Sequence, residues 1–291
     1  MNKIKLLLLA IIIGGCQASS KENLQIEQIT IKGSETMYPL SKELALEFEN
    51  ENKHYKINVT GGGSETGISA LKQKKTDIAM SSRSLKLGEK LYFQEDHFQY
   101  HEKIIAYDAL AVICNNKNIL NELTIEQIRQ IYTGKIKNWK EIGGEDLPVI
   151  LYSREPSSGT YDFFNEFVLN NERLDSNVIK VPNTEELSKK INQNKGAIGY
   201  IGLGHLNKSV KAMSVSSDGG TSYTEPSQSS VQNRKYPVIR PLYFYYLSEN
   251  ELKLKAFINY VLSEEGQNVV LRLNYVPLKN YMIQGRILPP L

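Results

Sequence analysis

Short apolar runs alternate with amphipathic stretches along the first third of the chain. Leu40, Leu44 and Phe48 recur at helical spacing, whereas the runs on either side are short and rich in Ile and Val. The pattern predicts strands at Ile26–Ile31, Ile57–Thr60 and Asp77–Met80, and helices at Leu40–Glu49 and Ile68–Lys75. This βαβαβ rhythm predicts an α/β protein with a mostly parallel sheet and helices on its faces.

The same alternation continues to the end of the chain, with one break. A helix is predicted over Thr124–Thr133, where Thr124 and Gln127 have the spacing of a capping box. Further strands are predicted at Ala106–Asn115, Val149–Tyr152, Ala197–Tyr200 and Leu242–Tyr246, and further helices at Thr160–Leu169, Glu249–Leu262 and Glu264–Leu273. Residues 214–235 are rich in Ser, Thr, Gly and Gln, which predicts a loop or a region held by the surface of a domain.

The first residues have the pattern of an export signal. Lys3 and Lys5 precede eight apolar residues, a run too short for a bilayer span of about 20 residues. Ile13, Gly14, Gly15 and Cys16 then resemble a bacterial lipoprotein box, which implies cleavage of residues 1–15 and a lipid on Cys16. Residues 16–23 are expected to be the lipidated tether. The alternative is a plain secreted protein in which Cys16 has no special role.

Composition and charge narrow the class further. With 41% hydrophobic and 23% charged residues, the 291-residue chain is neither a disordered tail nor a multi-span membrane protein. The predicted cleavage leaves 276 residues and lowers the net charge from +3 to +1, which is too small to indicate nucleic-acid binding. Lipidation of Cys16 would leave Cys114 alone, and its apolar surroundings predict a buried free cysteine.

Three turns rich in Gly, Ser and Thr each lie between a predicted strand and a predicted helix. They are Gly33–Pro39, Gly61–Gly67 and Ser153–Thr160, referred to below as turns one, two and three. At the carboxyl ends of strands, such turns offer free backbone N–H groups and the positive end of a helix dipole to an anion. Arg154 in turn three adds a permanently charged fork. Each turn alone could be a simple turn and helix cap, but three together favour a small oxyanion.

Other chemistry has little support in the sequence. The chain contains neither G-x-x-x-x-G-K-[ST] nor G-x-G-x-x-G, so nothing indicates a nucleotide or another cofactor. It has no G-x-S-x-G elbow, and His97 with His101 supplies too few ligands for a metal site. We therefore expect no catalytic residues, no metal and no enzymatic activity.

These turns, together with motifs along the rest of the chain, resemble those of the periplasmic phosphate-binding proteins of ABC transporters. Further matching segments are Asp77–Arg83, Asp108–Ile113, Ile131–Trp139, Gly196–Tyr200, Tyr236–Pro237 and Arg240–Phe244. Each motif is weak by itself, but their number and order are specific, and they span nearly all of the chain after the signal. The resemblance implies a two-lobed periplasmic-binding-protein fold with the ligand in the cleft between lobes.

The resemblance also implies that the chain crosses between the lobes near Tyr107–Asp108 and returns near Arg240. Lobe one would comprise residues 24–107 and 240–291, and lobe two residues 108–239. Each lobe is expected to be a mostly parallel sheet flanked by helices.

The family's phosphate ligands are carried over onto matching positions in this chain. In turn one, the backbone N–H groups of three consecutive residues are expected to donate. In turn two, one serine matches a family phosphate ligand, and four residues of turn three match the motif that grips the oxyanion from the other lobe. The implied ligands are Thr36, Met37, Tyr38, Ser64, Ser82, Arg154, Ser158, Gly159 and Thr160.

One of these positions departs from the family pattern. Some members have an Asp where this chain has Ser82, and that carboxylate accepts the phosphate proton and repels sulfate. A serine hydroxyl can accept or donate, so selectivity by charge repulsion is in doubt here. Glu35 or Glu65 could substitute as the acceptor, or could face solvent. Arg83 could contact the anion or pair with a structural carboxylate.

The resemblance implies a monomeric, lipid-anchored receptor outside the cytoplasmic membrane that delivers inorganic phosphate to the membrane subunits of an ABC permease. Three alternatives remain at this point. They are a receptor for sulfate or molybdate, an extracellular phosphatase that uses one of the hydroxyls as nucleophile, and a surface protein that retains the fold without transport.

Overall fold

A computed structural model describes residues 26–95 and 99–278. The predicted signal peptide, the tether and Cys16 lie outside the described residues. Strands β1 to β11 are Glu27–Gly33, Tyr55–Thr60, Ile78–Ser81, Tyr100–Cys114, Glu122–Thr124, Ile150–Arg154, Ile179–Val181, Ala197–Gly202, Lys211–Ala212, Ser214–Ser216 and Ile239–Leu247. Helices α1 to α9 are Tyr38–Glu51, Ser64–Lys72, Leu87–Glu95, Ile125–Tyr132, Gly159–Phe167, Thr184–Gln193, Gln228–Gln232, Glu251–Leu262 and Glu264–Arg272.

The main sheet is mixed, with a parallel group of strands at each end. Its order is β2-β1-β3-β11-β4-β8-β6-β7, and β9 pairs with β4. Strands β2, β1 and β3 are parallel, as are β8, β6 and β7. Antiparallel pairing of β11 and β4 joins the two groups. The prediction of parallel strands covered by helices is therefore confirmed.

Strand β4 takes part in both groups. Its residues from Tyr100 to Ala109 pair with β11, and those from Leu110 to Cys114 pair with β8. The change of partner falls beside Asp108, which lies opposite Arg240 of β11. This is the position at which the sequence resemblance implies that the chain crosses between lobes, and the lobe boundaries stay a prediction.

Two large buried clusters flank this junction. One packs α1, α8 and α9 on the sheet around Phe48 and Phe257, whose ring centroids are 5.4 Å apart. The other packs α4 and α5 on β8, where the rings of Phe164 and Tyr200 stack at 3.8 Å. Each group of parallel strands thus has its own core, which fixes the strand ends from which the turns project.

Several element predictions are confirmed. Helix α4 begins after Thr124, and Thr124 and Gln127 form both hydrogen bonds of the capping box. Cys114 is a free, fully buried cysteine, and burial raises the pKa of its thiol to about 12. The prediction of a buried free cysteine is therefore confirmed, and such a thiol is structural rather than reactive.

Other predictions were wrong in extent. Strand β4 begins at Tyr100, six residues before the predicted start, because its first residues are partly exposed and mix polar with apolar side chains. The predicted loop 214–235 contains β10, which pairs in parallel with β5, and α7, which Ser227 caps. Val215 and Val231 anchor these two short elements in the core, where a Ser-rich composition concealed them. At the carboxyl end, a short 3₁₀ turn at Ser248–Asn250 precedes α8.

Candidate anion-binding site

All three turns lie where the sequence predicts, between the end of a parallel strand and the start of a helix. Turn one joins β1 to α1, and turn three joins β6 to α5. Turn two follows β2, and its Ser64 is the first residue of α2. The first residues of a helix have N–H groups without an intrahelical acceptor, so each turn presents donors to the same region.

The turns contact one another although they are distant in sequence. The hydroxyl oxygens of Thr36 in turn one and Thr160 in turn three are 2.8 Å apart. A Cβ added to Gly159 would lie 2.2 Å from Ser64 Oγ and 2.8 Å from Ser82 Oγ. The structure therefore brings together Thr36, Ser64, Ser82, Gly159 and Thr160, five of the nine predicted ligands.

Close backbone approach also explains a glycine of turn two. Gly63 has φ +96°, and a Cβ there would lie 2.4 Å from the carbonyl oxygen of Ser157. Two residues later, the Glu65 N–H donates to the same oxygen at 3.3 Å. A side chain at position 63 would be strained and would separate turns two and three.

Two serines of these turns accept backbone hydrogen bonds through their hydroxyl oxygens. Ser64 Oγ accepts the Ser82 N–H at 3.1 Å, and Ser158 Oγ accepts the Thr160 N–H at 3.2 Å, as the N-cap of α5. A hydroxyl has one proton and two lone pairs, so an oxygen that already accepts keeps its proton for another acceptor. Both serines are buried, and the Ser64 hydroxyl also lies 3.5 Å from Ser82 Oγ, a contact in which either oxygen could donate. An anion could accept these protons in place of such contacts.

Arg154 is buried without a bonded carboxylate. Its Nη1 donates to Thr184 Oγ1 at 2.9 Å and its Nη2 to the Pro182 carbonyl at 2.8 Å. Its Nε is buried and has no hydrogen-bond partner in the described part of the chain. Burial lowers the pKa of the Arg154 guanidinium; the charge of Glu35 opposes this effect and that of Arg240 adds to it.

Three arginines are buried in the described residues, and two of them have bonded carboxylates. Arg240 pairs with Asp108 at 2.8 Å, and both side chains are 0% exposed. Arg83 pairs with Glu89 and with Asp162, each at 2.7 Å. Among the described residues, the hydrogen-bond partners of Arg154 are neutral, although the charge of Glu35 acts on it, and a buried charge without a bonded counterion is strongly unfavourable. Its environment is therefore suited to receive an anion.

The two interpretations of Arg83 are resolved in favour of structural pairing. Its Nε donates to Asp162 of α5, and its Nη1 and Nη2 donate to the two carboxylate oxygens of Glu89. Those carboxylates raise the pKa of Arg83 despite its burial, and Arg83 holds the pKa of Glu89 below its ordinary value against desolvation. Arg83 thereby links the segment after β3 to the first turns of α5.

Two predicted backbone donors are already bonded within turn one. The Met37 N–H donates to Ser34 O at 3.1 Å, and the Tyr38 N–H to Glu35 O at 3.4 Å. Tyr38 is partly buried, and the Lys42 ammonium lies 5.9 Å from its ring centroid. Either N–H would have to exchange this acceptor for an anion, so both assignments stay predictions.

The two glutamates considered as proton acceptors have different environments. Glu35 accepts the Gly62 N–H and so braces turn one against turn two. Glu65 is exposed at the start of α2. In the described part of the chain, neither carboxylate hydrogen-bonds to Ser82, the position at which some family members have an Asp; Ser82 bonds to Ser64 instead.

The site contains residues that sequence reasoning missed. The Thr36 carbonyl accepts the Tyr275 hydroxyl at 2.6 Å, and His205 Nε2 lies 3.0 Å from the same oxygen. Arg240 contacts both Thr36 and Thr160, although the sequence indicated only a chain crossing there. A single charged residue within the apolar run Ile239–Leu247 was the available signal for a buried, paired arginine.

The described residues contain neither a membrane-spanning helix nor a cluster of metal-ligating side chains. None of their helices has the length and apolar character needed to cross a bilayer. No group of three or more His, Cys, Asp or Glu side chains in residues 26–95 and 99–278 could hold a metal ion.

Comparison with known proteins shows the family to which the chain belongs. Residues 18–265 match the PBP superfamily domain. The phosphate-binding protein PstS of Staphylococcus epidermidis is 32% identical over 246 residues, which cover 81% of this chain and 74% of that protein. The chain therefore belongs to the PBP superfamily and, within it, to the family of the PstS phosphate-binding proteins.

Two solved structures extend the comparison to the fold. A phosphate ABC transporter substrate-binding protein of Clostridium perfringens with bound phosphate is 36% identical, with a TM-score of 0.79 over 86% of this chain and 99% of that one. An ABC-type phosphate transport receptor of Vibrio cholerae is 30% identical, with a TM-score of 0.69 over 85% and 99%. The α/β fold of this chain is that of phosphate-binding receptors.

Proposed function

We propose that this protein binds inorganic phosphate outside the cytoplasmic membrane and delivers it to the membrane subunits of an ABC permease. The observation that carries the proposal is Arg154, a buried guanidinium with an unpartnered Nε and no bonded carboxylate. A small anion would supply the missing counterion and accept charge-assisted hydrogen bonds.

Besides this charge, the proposed site offers neutral donors suited to a tetrahedral oxyanion. The hydroxyls of Thr36, Ser64, Ser158 and Thr160, with Ser82, come from four segments of the chain, and three helices begin at or next to them. In the complex, the anion would replace direct contacts such as that between Thr36 and Thr160. Arg154, the hydroxyls and the N–H groups at Met37, Tyr38 and Gly159 would then share its oxygens.

The mechanism we propose is closure of two lobes on the anion. Thr36 and Ser64 lie in proposed lobe one, whereas Arg154 and Thr160 lie in proposed lobe two. Because the anion bonds to both, it favours the closed arrangement, and its release requires the lobes to separate. The antiparallel pair of β4 and β11 is the proposed hinge.

Anchoring and partners are inferred from sequence and family. A lipid on Cys16 would hold a monomeric receptor at the membrane, near the permease. Binding and delivery need no bond-making step, so we infer that the protein is not an enzyme. The names of its relatives, a phosphate-binding protein and a phosphate ABC transporter substrate-binding protein, support a role in binding and transport rather than in catalysis.

Calorimetric titration of the 17–291 chain with phosphate, sulfate and molybdate tests the proposal. Saturable one-to-one binding of phosphate is expected. If none of the three anions binds, the proposed function is wrong. If sulfate or molybdate binds and phosphate does not, the site is that of a different oxyanion receptor. Hydrolysis of a chromogenic phosphate ester by the pure protein would instead indicate a phosphatase.

A further inference from the structure

We propose that Arg240 is a positioning residue that makes the hydroxyls of Thr36 and Thr160 hydrogen-bond donors to the anion. The inference rests on the proposed function and adds a residue that acts through two ligands instead of touching the anion itself.

The geometry places one guanidinium between two hydroxyls. Arg240 Nη1 lies 3.0 Å from Thr160 Oγ1, and Nη2 lies 3.3 Å from Thr36 Oγ1. The two threonine oxygens are 2.8 Å from each other. All three side chains are almost completely buried.

The hydrogen-bonding capacity of these groups determines their roles. Arginine can only donate hydrogen bonds, so each threonine oxygen accepts one from Arg240. The proton of each hydroxyl then points to another acceptor. In the present arrangement, one of those two protons lies between the threonines. An oxyanion has several lone pairs and can accept both protons, so each hydroxyl would donate to it. Without Arg240, either hydroxyl could turn its proton away from the anion.

Asp108 fixes the orientation of the Arg240 guanidinium and balances its positive charge. Its Oδ2 accepts from Arg240 Nε at 3.1 Å and Nη2 at 2.8 Å, while its Oδ1 accepts the Leu203 N–H at 2.9 Å. The pair is neutral overall and fully buried. Arg240 therefore acts through the orientation of hydroxyls, in contrast with Arg154, whose charge is not balanced by a bonded carboxylate.

The arrangement also depends on the approach of the turns. Thr36 belongs to turn one and Thr160 to turn three, and Arg240 lies on β11 at the proposed hinge. Only when the two turns meet can the planar fork bond to both hydroxyls at once. Lysine would retain the pair with Asp108, but a single ammonium cannot reproduce this fork.

The test is a double-mutant cycle that preserves the charge balance. Arg240→Gln is combined with Asp108→Asn, so that no buried charge is left unpaired, and the pair of substitutions is made with Thr160 present and with Thr160→Val. The exposed Arg272→Gln is the matched control, and phosphate affinity is measured by calorimetry alongside the melting temperature of each protein.

With Thr160 present, the Arg240 and Asp108 substitutions are expected to weaken phosphate binding about 30-fold, the loss of one to two hydrogen bonds. With Thr160→Val the same substitutions should weaken it only about fivefold, because one of the two hydroxyls is already gone. Arg240→Lys should lose about tenfold, and Arg272→Gln less than about twofold.

Equal losses in the two backgrounds would overturn the proposal, since Arg240 would then act independently of the Thr160 hydroxyl. An Arg240→Lys protein within about twofold of wild type would overturn it as well. These results differ from a failure of the proposed function, in which the wild-type protein itself would not bind phosphate.

Discussion

Gly159 lies directly against Ser64, although they begin different helices and are 95 positions apart. A Cβ at position 159 would approach Ser64 Oγ to 2.2 Å, and Ser82 Oγ to 2.8 Å. Gly159 is the first residue of α5 and is not among the glycines with positive φ, so alanine would fit its backbone locally. Glycine is required at position 159 because a side chain would collide with turn two. The proposed closure of the lobes would bring turns two and three into this contact.

Gly159→Ala is therefore expected to weaken phosphate binding by at least about 100-fold, while the free energy of unfolding changes by less than about 1 kcal/mol. The added methyl group would hold turn three away from turn two without filling a core. Calorimetry and chemical unfolding measure the two effects. Gly88→Ala, where a Cβ would meet no neighbour within 4 Å, is the control. Unchanged affinity of Gly159→Ala would contradict close contact of the turns in the bound state.

Arg154→Met should weaken phosphate binding by at least about 100-fold, because it removes charge-assisted hydrogen bonds of about 1.5–3 kcal/mol each. Methionine occupies much of the same volume and removes a buried charge that lacks a bonded carboxylate. The unliganded protein should therefore lose little stability, as measured by its melting temperature without phosphate. An affinity within about twofold of wild type would remove Arg154 from the site.

Much of this site could be predicted from the sequence because its parts are local. Gly- and Ser-rich turns after apolar strands predict that a helix begins nearby. Helix α5 begins at Gly159, one residue before the predicted start, and α2 begins at Ser64, four residues before it. The sequence left the role of Arg83 open between two alternatives and did not predict that of Arg240, because each has a carboxylate partner from a distant segment. Arg83 bonds to Asp162, 79 positions away, and Arg240 to Asp108, 132 positions away. Whether such an arginine lies beside a carboxylate or beside a binding site depends on the folded sheet.

The bond between Arg83 and Asp162 predicts an effect on the rate of phosphate release. It joins the segment after β3 to α5 at 2.7 Å, and Lys86 reaches the same carboxylate oxygen at 2.8 Å. Asp162→Asn should speed dissociation about three- to tenfold, with a smaller change in association, because the bridge would have to break before the turns separate. Stopped-flow measurements with excess competing anion would show this.

Glu166→Gln, an exposed change one turn later in α5, is the control for Asp162→Asn. Glu89 would still pair with Arg83 in the Asp162 variant, so no buried arginine is left without a carboxylate. A dissociation rate equal to wild type would show that the bridge does not hold the closed state.

Ser82→Asp is expected to increase discrimination against sulfate. Ser82 is fully buried beside Ser64 and the start of α5. A carboxylate there can accept the proton of a protonated phosphate but repels a fully ionised sulfate. Sulfate affinity should fall at least about 100-fold, and phosphate affinity should change less than about tenfold. Competition calorimetry with both anions measures the ratio, and Ser69→Asp, on the exposed face of α2, is the control. Equal losses for both anions would show that position 82 does not determine selectivity in this protein.

His205 predicts a pH dependence of stability. Burial lowers the pKa of its imidazole, and the charges of Arg154 and Arg240 act in the same direction, whereas the Thr36 carbonyl and Asp108 oppose them. In the unfolded chain, histidine has a pKa of about 6.5 and takes up a proton more readily than in the folded protein. The unfolded state therefore binds more protons below about pH 6.5, so the free energy of unfolding should fall as the pH decreases from that value. His205→Gln, whose amide could still donate to the Thr36 carbonyl, should reduce this slope in urea unfolding between about pH 5.5 and 7. An unchanged slope in the variant would show that His205 is not the titrating group.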